Sequence, residues 1–122
     1  MSEHGTVTVV ILADIGQGAI AQQNGQRVEL PAALVDRHDV LYRVIDASLE
    51  PMGASSGDLL IVEPKDTAST GELVLAEKRG KVYVGRYWAK HGRRDLVGDG
   101  DDVIVRAATI VGAVTLIVRG IT

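Results

Sequence analysis

The stretch Glu72-Leu-Val-Leu-Ala-Glu-Lys-Arg-Gly-Lys-Val-Tyr-Val-Gly-Arg-Tyr-Trp88 holds two apolar runs joined by an Arg79-Gly80 dipeptide. A two-residue connection ending in glycine, flanked by β-rich runs, predicts a tight hairpin of strands over 72–77 and 81–88. Val82 and Val84 alternate with Lys81 and Tyr83, so the second arm presents an apolar face. The same rhythm extends outward. Pro51–Gly57 precedes a strand at Asp58–Val62, and Pro64–Gly71 precedes the first arm of the hairpin. Thr6–Leu12, Val28–Leu30, Leu41–Ile45, Val103–Arg106 and Ile110–Arg119 read as further strands. Pro31 opens one or two helical turns through Val35. Asp14–Gln26, punctuated by Gly16, Gly18 and Gly25, reads as a loop or irregular arm, and Ala89–Asp102 as a polar loop. No segment carries a long 3.6-residue period. The expected fold is mainly β, with seven or eight short strands, a hairpin and little helix.

At 122 residues the chain has the length of a single domain over 1–122. Apolar residues make up 46% and charged residues 24%, a globular balance. With no Phe, one Trp (Trp88) and three Tyr (Tyr42, Tyr83, Tyr87), the core has to be aliphatic. The absence of cysteine excludes disulfides, cysteine zinc sites and a cysteine nucleophile, and fits a reducing cytoplasm. A net charge of −3 argues against direct DNA binding. The basic group Lys78, Arg79, Lys81, Arg86, Lys90, Arg93 and Arg94 is answered at once by Asp95, Asp99, Asp101 and Asp102, so the charges compensate within the chain. The N-terminus shows no signal-peptide pattern. The apolar run Ala107–Val118 falls well short of the ~20 residues of a membrane helix. Scattered carboxylates and isolated histidines support no metal site, and no phosphate loop or dinucleotide fingerprint implies a cofactor.

The informative constellation is the order of five blocks: Val44-Ile-Asp-Ala-Ser-Leu-Glu-Pro51, Ser56-Gly-Asp-Leu-Leu-Ile-Val-Glu-Pro64, Gly71-Glu-Leu-Val-Leu-Ala-Glu77, Gly80-Lys-Val-Tyr-Val-Gly-Arg-Tyr87 and Ile110-Val-Gly-Ala-Val-Thr115. Together they resemble the LexA/UmuD family, the self-cleaving serine peptidase domains of SOS and phage repressors. The resemblance covers about Val9 to Arg119. It implies a LexA C-terminal-like domain, with an arm about 13–26 and a peptidase-like body about 28–119. No helix-turn-helix segment is expected. Ala13-Asp-Ile-Gly-Gln-Gly18 is similar to the family's cleavage segment and puts the cleavage-like bond at Gln17–Gly18.

The family's chemistry pairs a serine nucleophile with a neutral, buried lysine that takes its proton. The resemblance gives Ser48 the nucleophile position. It gives the lysine position to Gly85, reached without a gap through the hairpin and followed by the expected Arg86. Ala47 and Leu49 also depart from the family's residues beside the serine. Lys81, on the same strand face, lies ~13 Å from position 85, and Lys90 lies roughly 16 Å on. Arg86 faces the other way and stays protonated. His38 and His91 serve as bases only if the fold carries them to Ser48.

Plainer roles exist for each residue. A serine at this position suits a helix N-cap, and a strand glycine marks a close backbone approach, here of the arm or another chain. The Gly18 segment is a flexible loop, or an uncleaved pseudosubstrate lying in the cleft. The expected function is a proteolytically inactive LexA/UmuD-like domain in SOS or prophage-type transcriptional regulation. The resemblance implies a homodimer, and a RecA filament or an error-prone DNA polymerase as partner. An active peptidase cutting near Gln17–Gly18 with an unconventional base is the first alternative, and a small DNA-binding β protein the second.

Overall fold

The computed structural model describes residues 5–120. Its strands are β1 (Thr6–Ile15), β2 (Ala19–Ile20), β3 (Gln22–Gln23), β4 (Arg27–Pro31), β5 (Val40–Val44), β6 (Leu59–Pro64), β7 (Leu73–Lys78), β8 (Lys81–Lys90), β9 (Arg93–Val97), β10 (Val103–Arg106) and β11 (Thr109–Val118). They join in one mixed sheet in the order β10-β9-β8-β7-β11-β6-β5-β1-β3, with β2 on β8 and β4 on β1. The β1–β5 pair is parallel and the other ladders antiparallel. The fold is mainly β, as the sequence predicts.

The hairpin at Arg79-Gly80 forms because both residues take positive φ, 55° and 79°, the backbone of a two-residue turn that matches strand twist. A second hairpin repeats the device at His91-Gly92, with φ of 52° and 78°, and joins β8 to β9. This corrects the expectation of a polar loop over Ala89–Asp102. Strand β9 begins with the exposed Arg93 and Arg94, which look like loop residues, and buries only Asp95, Leu96 and Val97. With β2 and β3 it raises the expected eight strands to eleven. The predicted helical turns after Pro31 amount to a single 3₁₀ turn, Ala32–Leu34.

Strands β7 and β8 bury both faces. On one side Leu75, Val82 and Val84 pack with Ala13 and Ile15 of β1, Tyr42 and Val44 of β5, Leu60 and Val62 of β6, and Leu49. On the other, Val74, Ala76 and Tyr87 pack with Leu96, with Ile104 and Tyr83 at the margin. A third cluster, Ile11, Leu30, Leu41, Leu59 and Ile61, closes the β1–β4 end. Each fully buried aliphatic side chain contributes about 1.5–3 kcal/mol, so these clusters fix the register of the elements that carry the site. Asp58, just before β6, is 3% exposed and accepts hydrogen bonds from the Ser55 and Gly120 N–H groups. It thereby ties the turn after Pro51 to the chain beyond β11. Among the described residues, no helix is long and apolar enough to cross a membrane.

Candidate functional site

Ser48 lies in a short 3₁₀ helix, Ala47–Met52, between β5 and β6. The helix is held from below by Leu49, which is fully buried in the cluster that contains Val84. Its N-cap is Asp46, whose carboxylate accepts the Ser48 N–H at 3.0 Å. The expected cap, Ser48, is therefore displaced by an aspartate two residues earlier, whose side chain reaches the amide two positions on. Gly53, at φ 94°, ends the helix in the left-handed conformation.

The exposed Ser48 side chain donates its hydroxyl to Asp46 Oδ1 at 2.5 Å and accepts the Gln17 N–H at 2.8 Å. Those two bonds, first the hydroxyl and then the Ser48 amide on the same carboxylate, hold Asp46 below its ordinary pKa. The hydroxyl proton thus faces an exposed carboxylate, a class of group that is ionised well below neutrality.

The segment expected as a loop is held down along its length. Gly16 packs against Asp46 so closely that a Cβ there would stand 2.9 Å from Oδ2. The Gln17 carboxamide donates to the Val84 carbonyl at 2.7 Å and accepts the Val84 N–H at 2.8 Å. Gly18, at φ 71°, donates its N–H to the Val82 carbonyl at 2.8 Å, and β2 then pairs with Val82 and Lys81. The arm lies along β8 beside Ser48. The contact made by Ser48 is to the N–H of Gln17, whereas the Gln17–Gly18 bond starts at the carbonyl carbon two covalent bonds along.

Gly85 is not drawn toward Ser48. A Cβ built there would meet Ile104 Cδ1 and the Val97 carbonyl oxygen at 3.0 Å and Leu96 Cβ at 3.3 Å. That is the Val74–Tyr87–Leu96 side of the sheet, while the neighbouring Val84 faces Leu49. The close approach expected at Gly85 comes from β9 and β10 and not from the arm. Arg86 is exposed and bonds the Gly71 carbonyl at 3.3 Å. Lys81 is exposed and paired with Ile20, and Lys90 stacks 5.9 Å over the Trp88 ring. His38 and His91 are exposed, His91 at the tip of the second hairpin. Among the described residues, the hydrogen-bond partners of the Ser48 hydroxyl are Asp46 and Gln17.

Residues 8–115 match the Peptidase S24-like family. The chain belongs to that family. The match spans the arm, the Ser48 helix, both hairpins and most of β11. No curated protein matches the sequence. The family is one of serine peptidases, and the resemblance to LexA and UmuD read from the five blocks stands within it.

Two residues of the site were missed in the sequence. Asp46 was legible in principle, since Asp-Ala-Ser places a carboxylate two residues before an amide it can cap. The role of the Val84 backbone had no sequence signal, because a main-chain group carries no residue identity.

Proposed function

We propose that this S24-like domain is proteolytically inactive and acts through its surface, by self-association or partner binding, in SOS or prophage-type transcriptional regulation. Ser48 keeps the nucleophile position and Gly85 stands where the family's lysine would. The observation that carries the reading is the pairing of the Ser48 hydroxyl, with a carboxylate on one side and the arm's N–H on the other. A serine needs a base whose pKa lies near the working pH, and Asp46 is shifted away from it. The Gln17–Gly18 segment then serves as a resident internal peptide and is not consumed. A homodimer is the form in which such a domain would work, and a RecA filament or a DNA polymerase is the partner class that the family resemblance offers. Incubation at alkaline pH followed by intact-mass measurement, beside Ser48→Ala, tests inactivity. Sedimentation velocity tests self-association.

A second reading is favoured by the arm's position at Ser48: slow self-cleavage with Asp46 as the unconventional base. It predicts loss of about 17 residues from the native chain and none from Ser48→Ala or Asp46→Asn.

A further inference from the structure

Strand β8 is paired along one edge by β7 from Lys81 to Arg86. Its other edge is covered by β2 at Lys81 and Val82 and by β9 from Arg86 to Lys90. Between these two strands lies a gap in which the N–H and C=O of Val84 point toward the arm, as the Val82 carbonyl does. Among the described residues, no strand residue fills the gap. The carboxamide of Gln17 does, donating to the carbonyl and accepting from the N–H.

We propose that Val84 makes this a peptide site selective for glutamine at the residue seated on Ser48. The proposal rests on the reading of the arm as a resident peptide and names what the site recognises. The main chain of Val84 offers one donor and one acceptor side by side. A carboxamide returns one acceptor and one donor on a single planar group. Carboxylate offers acceptors only, ammonium donors only, and asparagine is one methylene short of this reach. At the preceding position a Cβ on Gly16 would stand 2.9 Å from Asp46 Oδ2, the end of an exposed side chain that can turn aside, so the seat disfavours bulk there without requiring glycine. Backbone bonds from Gln17 N–H to Ser48 and from Gly18 N–H to Val82 then seat any such peptide without regard to its other side chains.

Amide hydrogen exchange on the full chain, followed at Val84 and Gly18 with the fully buried Ile61 as an internal reference, tests the selection. In Gln17→Ala, protection at both amides falls by roughly 5- to 100-fold at every pH, the loss of two hydrogen bonds. In Gln17→Glu, the ionised carboxylate cannot donate to the Val84 carbonyl, so Gly18 is deprotected at neutral pH. On acidification through about pH 4 the protonated acid regains one donor and one acceptor, and protection returns toward the native level. A part that merely fills space would show no such acid rescue. Protection in Gln17→Ala within twofold of the native chain overturns the proposal, as does a Gln17→Glu response independent of pH. An intact-mass check on the same samples keeps the two claims apart. Mass loss defeats the inactive reading, whereas unchanged exchange in an intact chain defeats glutamine selection.

Discussion

Gln17 N–H and Ser48 Oγ are 2.8 Å apart, so the arm rests on the hydroxyl proposed to hold the family's nucleophile position. The same oxygen donates to Asp46, which makes Ser48 a bridge between the arm and the cap of its own helix. With its lone pair on an amide and its proton on a carboxylate, the hydroxyl ties the arm to the helix cap.

Ser48→Ala should therefore act on structure. Removing the acceptor for the Gln17 N–H is expected to cost about 1 kcal/mol in urea unfolding, the ordinary worth of one hydrogen bond. Exchange at the Gln17 amide should rise with it. A variant more stable than the native chain, with an unchanged Gln17 amide, contradicts the bridging role.

A lysine introduced at position 85 should not supply Ser48 with a base. The space beside Gly85 is taken by Ile104 and the Val97 carbonyl, on the side of β8 away from Leu49. Gly85→Lys is expected to destabilise by about 1–3 kcal/mol, as overpacked sites do, and to remain uncut at alkaline pH. Self-cleavage in this variant would show that β8 re-registers and that the geometry at Gly85 is not decisive.

Gly16→Ala tests the other end of the arm's seat. Its φ is not in the left-handed region, so the cost comes from the new methyl against Asp46 Oδ2. The exposed carboxylate turns aside, which weakens the cap of Ala47–Met52 and the bond from the Ser48 hydroxyl, both made to Oδ1. Faster amide exchange at Ser48 and Gln17, with Ile61 unchanged, is the expected result; equal exchange at Ser48 and Gln17 contradicts it.

Acid should act through Asp58. The Ser55 N–H bond chiefly lowers its pKa, aided by the Gly120 N–H and the Arg119 charge, against the opposing effect of burial. A carboxylate whose folded pKa is depressed adds stability that is fully present above the unfolded pKa. That stability is lost as pH falls through the folded pKa, below the ordinary carboxylate range near ~4. Asp58→Asn is expected to cost about 1–3 kcal/mol at pH 7, since one acceptor oxygen becomes a donor facing an N–H group. Unfolding midpoints across pH 3–7 should then fall less steeply in the variant than in the native chain. Parallel profiles would show that Asp58 does not carry the acid response.

Much of the fold was legible because strand identity is written in period-2 burial and in turn residues. Arg79-Gly80, Pro51–Gly57 and Pro64–Gly71 all mark turns that form. Strand β9 escaped because its first residues carry charge into solvent, although His91-Gly92 held the same hairpin signature as Arg79-Gly80. At the site, the sequence brought Ser48 and Gln17 together through family likeness alone. Which face Gly85 presents was not legible, since side-chain direction depends on the β7–β8 register and on Ile104 arriving from β10. The carboxamide of Gln17 was unreadable for a related reason: its partner is main chain.

The most direct measurement is an intact-mass time course of the native chain at alkaline pH, with Ser48→Ala alongside. One undiminished mass is expected in both. A native chain that sheds about 17 residues at the Gln17–Gly18 bond while Ser48→Ala stays whole would contradict it.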